Sequence, residues 1–312
     1  MRARLIDYDA RRLLTWSGAV DALRAGHRLP RAEVADTVLG PAEATLLSRG
    51  AFIPGLGFGL KSVTVFDRNP ARGLPTVQGA MLVFEPDQGR LDAIIDGHLV
   101  TELKTAADSV LGALCLARPD SRHLLVVGGG TVARNLVSAY LALFPALERV
   151  SVWARRPEQS EALARAAQAD GRDVMAVPDL ARAAAEADII TSATMARDPV
   201  LRGAWIRPGT HVDLIGAYKA DMREADDALI AGGSLFVDSR DTTVAHIGEL
   251  MIPIARGVIS AGRIAGDLYD LVARDAPART SEDEITLFKN GGGAHLDLMI
   301  ARYISGAVAD GD

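Results

Sequence analysis

One segment constrains the fold of this 312-residue chain more than any other, the run HLLVVGGGTVARNLVSAYLALF that begins at His123. Its first five residues, which end at Val127, are almost wholly apolar, as expected of a buried parallel strand. The glycines at 128–130 open the pattern G-x-G-x-x-G/A, and a helical run begins at about Thr131. A strand, a glycine turn and a helix in this order are typical of a domain that binds a dinucleotide through its phosphates.

Each small residue of this turn has a predicted role in binding a dinucleotide. Gly128 permits the tight turn, and Gly130 lets a pyrophosphate approach the backbone. Ala133 lets the helix pack closely against the strand. The helix begins with Thr131 and Val132, whose N–H groups lie at the positive end of the helix dipole and suit phosphate oxygens. We therefore predict that all five residues bind the cofactor.

The second strand of the repeat, RVSVW, ends in two adjacent arginines. Sites that prefer NAD usually place Asp or Glu near this position, where it binds the ribose 2′-hydroxyl. This chain instead has Arg155 and Arg156, whose planar guanidinium groups suit a 2′-phosphate. The sequence predicts NADPH as the cofactor, with NADH possible.

Short apolar strands continue to alternate with helical segments after this point. The strands are DVMAV, DIITSAT, HVDLIG, SLFVDS and, after a longer connection, EITLFKNGGG. Such alternation predicts an α/β domain with a parallel sheet covered on both faces.

The first third of the chain has a different pattern, which indicates an α+β unit. A first helix, SGAVDALRAG, has Ser17 as its candidate N-cap. GFGLKSVTVFD alternates like a strand, and two further strands flank the turn residues 86–89 as a hairpin. A long helix runs from about 99 to 117, and RPDSR at 118–122 is the candidate domain linker. The chain closes with the helix AHLDLMIARYISGAV.

Composition excludes several classes of function. A net charge of −6 argues against a nucleic-acid binder, and 49% hydrophobic with 24% charged residues is ordinary for a globular protein. A single cysteine, Cys115, excludes disulfides within the chain and favours the cytoplasm, and no apolar run reaches membrane-spanning length. The six histidines are scattered without the spacing of a metal site, so we expect no metal.

The chain resembles the ornithine cyclodeaminase/μ-crystallin family along its whole length. It is most similar to the ketimine reductases of the family, which reduce Δ1-pyrroline-2-carboxylate and Δ1-piperideine-2-carboxylate to proline and pipecolate. The stretches that carry the resemblance are LPR (29–31), GLKSVTVF (59–66), RNPARGLP (68–75), VTELKTAADS (100–109), VVGGGTVAR (126–134), HVDLIGAYKADMREADDAL (211–229) and DEITLFKNGGGAHLDL (283–298).

The resemblance implies a fold of two domains in a homodimer. One is a Rossmann-type doubly wound parallel sheet at 119–293, which binds the dinucleotide. The other is an α+β domain for substrate binding and dimerisation, at 1–118 with the closing helix at 294–312.

The resemblance also implies a cationic set that binds the carboxylate of an imino acid. The matching positions are Arg31, Lys61 and Lys104, the last standing where the family usually has arginine. A lysine on an apolar strand commonly faces solvent, but the family motif favours a catalytic role for Lys61. Either Lys61 or an ordered water would donate the proton to the imine. Gln78 is a further candidate for substrate contact.

Further cofactor contacts follow from the family motifs and from the ends of the strands. They are Thr105 near the phosphates or ribose, Thr191, Ser192 and Ala193 at the end of a strand, and Asn290 and Gly291 in a loop near the nicotinamide.

One departure from the family bears directly on the reaction. Cyclodeaminases have a catalytic Asp after a G-A/G pair, whereas Gly216 and Ala217 are followed here by Tyr218, and Asp221 is expected to cap the next helix. Loss of that carboxylate favours reduction of a preformed imine over cyclodeamination of ornithine or lysine. Two further alternatives are reductive amination of an α-keto acid, such as pyruvate, and non-catalytic binding of NADPH.

Overall fold

The computed structural model describes residues 3–41, 43–274 and 276–311. The chain forms two compact units, an N-terminal unit of Met1–Ala107 with Gly293–Asp312, and a central unit of Asp108–Gly292. The sequence placed the first boundary at 118/119, in the segment RPDSR, whereas the units divide at 107/108, inside a long helix. The second boundary lies between residues 292 and 293 in the structure, one residue before the expected position between 293 and 294.

The N-terminal unit contains a six-stranded sheet in the order β1-β6-β5-β4-β3-β2. Strands β2 to β6 form an antiparallel meander, and β1 pairs parallel with β6. Three α-helices complete the described part of the unit, and the last of them packs against α1, β3 and β4. The elements are β1 (Arg4–Ile6), α1 (Trp16–Gly26), β2 (Glu33–Leu39), β3 (Ala44–Ile53), β4 (Gly57–Phe66), β5 (Val77–Phe84), β6 (Leu91–Asp96), α2 (Gly97–Leu116, which crosses the boundary) and α10 (Ala294–Gly311).

The predicted hairpin is confirmed as β5 and β6, and Gly89 in its turn has a φ of +67°. The predicted cap of α1 is wrong, because Thr15, not Ser17, accepts a hydrogen bond from Gly18 N at 3.0 Å. Helix α1 thus begins at Trp16, whose side chain is buried. Strands β2 and β3 have no counterpart among the predicted elements. In β2 every residue is exposed, so the strand lacks the alternation that marks a half-buried strand.

The central unit confirms the predicted α/β class. Its eight strands all pair parallel, in the order β13-β12-β14-β11-β10-β7-β8-β9 within the described residues. Its elements are β7 (His123–Val127), α3 (Thr131–Leu143), β8 (Arg149–Trp153), α4 (Pro157–Ala169), β9 (Val174–Ala176), α5 (Leu180–Glu186), β10 (Ile189–Ser192), β11 (His211–Leu214), α6 (Asp227–Gly232), β12 (Ser234–Val237), α7 (Arg240–Thr243), α8 (Gly248–Ala255), β13 (Ile264–Gly266), α9 (Leu268–Val272) and β14 (Thr286–Lys289).

The order of these strands determines where a ligand can bind. Strand β7 is the first of the sheet in the chain, and its neighbours β8 and β10 lie on opposite sides of it. The direction of winding therefore reverses at β7, which makes its carboxyl end the topological switch point of the sheet. Buried aliphatic side chains such as Leu125, Ile190 and Val212 form the core beneath it. Each contributes about 1.5–3 kcal/mol through burial.

No helix among the described residues is both long enough and apolar enough to cross a membrane.

Candidate functional site

The glycine turn after β7 has a conformation that only glycine adopts readily. Gly128 has a φ of +140°, and a Cβ atom there would lie 2.7 Å from the carbonyl oxygen of Ala193. The Gly128 N–H donates to the carbonyl of Trp153 at 2.8 Å. This position therefore excludes a side chain on both conformational and steric grounds.

Gly130 has a different role, because space is open above it. It is the N-cap of α3, with φ −92° and ψ −170°, and a Cβ atom there would meet nothing within 4 Å. The open space lies beside the first turn of α3, which begins with Thr131 and Val132. A phosphate can thus approach the N–H groups of that turn. Ala133 is fully buried at the close contact between α3 and the turn.

A cavity of about 260 Å³ adjoins this turn. Arg155 and Arg156 are exposed and line one part of the cavity, beyond the end of β8. The other lining residues come from the glycine turn, the end of β8, helix α4 and the loop after β10, namely Gly128, Gly129, Gly130, Trp153, Ala154, Gln159, Ala193, Thr194, Met195, Ala196 and Val200.

These residues fit a dinucleotide. The turn offers an open cradle and a helix N-terminus to the pyrophosphate, and the two guanidinium groups lie where β8 ends. Of the predicted cofactor residues, the structure brings together the turn residues, both arginines and Ala193.

Thr191 and Ser192 lie beneath the cavity and do not line it. Both side chains are fully buried, because Thr191 Oγ1 donates to Asp213 Oδ2 at 2.7 Å and Ser192 Oγ donates to Glu224 Oε1 at 2.6 Å. Their hydroxyl groups thus bond to two buried carboxylates, Asp213 within β11 and Glu224 in the segment that follows β11.

Glu224 is the centre of a buried network that the sequence did not reveal. Its Oε1 also accepts from Thr194 N at 2.7 Å and Thr194 Oγ1 at 2.8 Å, and its Oε2 accepts from Gly216 N at 2.6 Å. The carboxylate thereby fixes the loop whose Thr194 lines the cavity. The carboxylate of Glu249 in turn accepts a hydrogen bond from the backbone N–H of Glu224 at 2.7 Å. Burial raises the pKa of Glu249 to about 7.

The loop after β14 is held in a similar way. Asp238 Oδ2 accepts from Gly291 N at 2.9 Å and from Gly292 N at 2.6 Å. Asn290 is buried and its Nδ2 donates to Ser109 Oγ at 3.0 Å. Lys289, also buried, donates to the carbonyl of Leu214 at 2.8 Å and to that of Asn290 at 2.7 Å. Asn290 and Gly291 thus belong to a loop at the carboxyl end of the sheet that buried side chains hold by hydrogen bonds.

A second cluster of functional groups lies in the N-terminal unit. Lys61 on β4 is only 6% exposed, and its Nζ donates to Asp297 Oδ1 on α10 at 2.7 Å. Burial lowers the pKa of Lys61, while the negative charge of Asp297 opposes that effect. Sequence reasoning missed Asp297, which is fully buried.

Lys104 on α2 adds a second buried cation. The residue is 7% exposed, and its side chain makes no hydrogen bond or ion pair with any described residue. It lies close enough to Lys61 that its charge lowers the pKa of Lys61. Because a positive charge on a largely buried side chain is stabilised by an opposite charge, this arrangement suits an anionic ligand.

The remaining predicted residues of the N-terminal unit are more open. Arg31 is exposed, as is Gln78 on β5, and Thr105 on α2 is half-buried. The pKa of His295 lies well below its ordinary value, mainly because the residue is buried and also because positive groups lie nearby. Those groups are His27, Lys104, Arg49 and Arg31. Arg31 therefore lies in the same electropositive region as Lys104.

The expected role of Asp221 is wrong. Helix α6 begins at Asp227, and its N-cap is Asp226, whose side chain accepts from Leu229 N at 2.8 Å. Asp221 instead lies on the surface and accepts from Arg197 Nε at 2.8 Å. Tyr218 is 51% exposed in the preceding loop.

Comparison with known proteins assigns the chain to a family. Residues 55–312 match the model of the ornithine cyclodeaminase/mu-crystallin family. The chain belongs to this family. The predicted family resemblance is confirmed.

Three relatives are informative. A Δ1-pyrroline-2-carboxylate reductase of Paracoccus denitrificans is 65% identical over 96% of this chain and 95% of its own length. The Thermococcus litoralis Δ1-pyrroline-2-carboxylate reductase, solved with NADH and L-proline, superposes with a TM-score of 0.91 at 27% identity over 99% of this chain and 98% of its own. An archaeal alanine dehydrogenase dimer with bound NAD also has a TM-score of 0.91, at 25% identity over 100% of this chain and 97% of its own.

Proposed function

We propose that this protein reduces a cyclic α-imino acid, Δ1-pyrroline-2-carboxylate or Δ1-piperideine-2-carboxylate, to L-proline or L-pipecolate with NADPH. The observation that carries the proposal is the position of Lys104, a largely buried side chain with no ion-pair partner among the described residues, beside the Lys61–Asp297 pair. Such a substrate has one carboxylate next to the carbon that is reduced. The 65% identity to a Δ1-pyrroline-2-carboxylate reductase supports the same chemistry.

The reaction needs a bound dinucleotide and a cation that holds the carboxylate, and each unit supplies one of them. In the central unit, Gly130 and the first turn of α3 would hold the pyrophosphate, and Arg155 and Arg156 would hold the 2′-phosphate. When bound, the reduced nicotinamide supplies a hydride. The two arginines support a preference for NADPH over NADH.

In the N-terminal unit, Lys104 and Lys61 would bind the substrate carboxylate, with Arg31 in the same electropositive region. Lysine lacks the bidentate fork of the usual arginine, so Lys104 would bind the carboxylate as a point charge. Lys61 Nζ carries a proton that it could donate to the substrate nitrogen. Burial lowers the pKa of Lys61, which makes its ammonium group a better acid than an exposed lysine.

Tyr218 supports reduction over cyclodeamination. Its side chain has no carboxylate that could take the place of the catalytic Asp of the cyclodeaminases. A preformed imine requires no base to abstract a proton, since it needs only a hydride at carbon and a proton at nitrogen.

We also propose that the protein is a cytoplasmic homodimer that acts on a small molecule. A single cysteine suits a reducing compartment. Strand β2 is an edge strand with exposed apolar side chains, including Val38 at 63% and Leu39 at 58% exposure, which a second copy could cover. The archaeal alanine dehydrogenase relative is a dimer. Analytical ultracentrifugation tests this, and a monomer would refute it.

The activity is tested by measuring NADPH oxidation with each cyclic imine. Parallel assays use pyruvate with ammonia or methylamine, and ornithine with NAD. Turnover of a cyclic imine that is lost in Lys61→Met is the expected result. Activity only on pyruvate or ornithine, or tight NADPH binding without any turnover, would refute the proposal.

A further inference from the structure

Lys61 and Asp297 form a buried ion pair that joins the sheet to the closing helix. The Lys61 Nζ to Asp297 Oδ1 distance is 2.7 Å, and the two side chains are 7% and 0% exposed. Among the described residues, Asp297 is the only carboxylate within 4 Å of Lys61 Nζ. The second oxygen, Oδ2, is buried without a hydrogen-bond partner among those residues. The hydrogen bonding of the carboxylate by those residues is thus with Lys61.

The other charged groups that face this pair are positive or can become so. Lys104 faces it from α2, and Arg49, which is paired with Lys61 in the register of β3 and β4, faces it from the sheet. His295 on α10, His27 after α1 and Arg31 lie in the same region. Arg49 also pairs with Asp36 of β2 at 2.9 Å, so without Asp297 Lys61 would be a buried cation that faces the positive charge of Lys104.

We propose that Asp297 is the positioning residue of this anion site: it keeps Lys61 charged and correctly placed, and thereby sets the pH range over which the site binds a carboxylate. The inference rests on the proposed function, in which Lys61 contacts the substrate.

The balance of charges supports this role. Burial lowers the pKa of Lys61, Asp297 raises it, and Lys104 and Arg49 lower it. Burial alone would raise the pKa of Asp297, but the charges of Lys61 and Lys104 bring it below its ordinary value. Asp297 therefore remains anionic through the neutral range, and its charge is what opposes deprotonation of Lys61.

A purely structural role, in which Asp297 only anchors α10 to the sheet, predicts a different result. Replacing Asp297 would then lower stability without changing how ligand binding depends on pH. Asp92 provides a matched control, because it accepts from Ser305 Oγ of α10 at 2.9 Å and from Arg4 at 2.9 Å, and is not a partner of Lys61. Asp92→Asn thus weakens an anchor of α10 but leaves the charge of Lys61 intact.

The test is calorimetric titration of the full-length protein, saturated with NADP⁺, with pyrrole-2-carboxylate from pH 6 to pH 10. In Asp297→Asn we expect the upper pH limit of binding to move down by about 1–3 pH units, the range for loss of a nearby opposite charge. At pH values between the upper limit of Asp297→Asn and that of the wild type, the variant should bind pyrrole-2-carboxylate about tenfold or more weakly than the wild type. Asp297→Glu should restore most of the wild-type profile, and Asp92→Asn should retain it.

A second variant keeps the inference testable if Asp297→Asn is unstable. In Lys61→Arg the cation at this position stays charged throughout this range, so the upper pH limit should move up, and Lys61→Arg in the Asp297→Asn background should bind at higher pH than Asp297→Asn alone. An unchanged profile in Asp297→Asn, with normal binding by the wild type, would refute the role of Asp297 alone. No carboxylate binding by the wild type at any pH would refute the anion site and the proposed function together.

Discussion

Substituting alanine at Gly130 should separate binding of the cofactor from folding. The residue has φ −92° and ψ −170°, which alanine accepts, and the new methyl group would meet no protein atom within 4 Å. Loss of a favourable N-cap costs about 0.5–1 kcal/mol, and the reduced freedom of the unfolded chain returns about 0.4–1 kcal/mol. We expect the free energy of unfolding to change by less than about 1 kcal/mol.

The same methyl group would occupy the space through which the pyrophosphate approaches the first turn of α3. Loss of one or two charge-assisted hydrogen bonds, at about 1.5–3 kcal/mol each, weakens NADPH binding by about 10- to 100-fold or more. Fluorescence titration with NADPH and urea denaturation measure the two effects on the same preparation. Wild-type affinity in Gly130→Ala would refute our placement of the pyrophosphate.

Gly128→Ala is the matched comparison, since it should affect folding first. Its φ of +140° strains an alanine by about 1–3 kcal/mol. Overlap with the carbonyl oxygen of Ala193, which belongs to the backbone and cannot move aside easily, adds about 1–3 kcal/mol. A Gly128→Ala protein as stable as the wild type would show that the turn is more adaptable than this geometry implies.

Three further predictions concern single side chains. Arg155→Ala or Arg156→Ala should raise the KM for NADPH about tenfold or more and leave that for NADH nearly unchanged, and steady-state kinetics with both cofactors checks this. Lys104→Met should raise the KM for the imine about tenfold or more, whereas Lys104→Arg, the usual family residue, should retain binding; equal KM values in both variants would contradict a charge-based role. Burial lowers the pKa of His211 to about 3, so the folded state keeps the imidazole neutral. Because the unfolded state takes up a proton below about pH 6.5, the free energy of unfolding should fall by about 1.4 kcal/mol per pH unit as the pH drops below that value. Urea denaturation at pH 4 and pH 7 should show a smaller loss in His211→Asn.

The sequence predicted the elements of the central unit because their signals are local. A short apolar run, a glycine turn and a helix occupy consecutive positions, so β7, its turn and α3 could be placed before any tertiary contact was known. Strand β2 could not be found in this way, since all seven of its residues are exposed and no burial pattern distinguishes it from a loop. The prediction that Asp221 caps the next helix was wrong because two further aspartates follow it, and one of them, Asp226, forms the cap.

The buried acids were missed because their partners are distant in the chain. Glu224 lies in the segment MREADDAL, which has the composition of a solvated surface. Its four donors come from Ser192, Thr194 and Gly216, at least eight residues away, and only the folded sheet brings those groups together. No pattern of neighbouring residues reports such a contact.

Asp297 is a different case, because the sequence contained a signal for it. In β4 the odd-numbered residues Gly59, Lys61 and Val63 share the buried face, so strict alternation places the Lys61 side chain inward. An inward lysine favours a carboxylate on whatever element covers that face. A Cβ atom on Gly59 would lie 2.9 Å from Leu298, which shows that α10 is the covering element. The aspartates of α10 are Asp297, adjacent to Leu298, and Asp310, at the far end of the helix. The alternation in β4 thus predicts an inward lysine from the sequence alone, whereas the structure is needed to place Leu298 over the same face and so to select Asp297 as the partner.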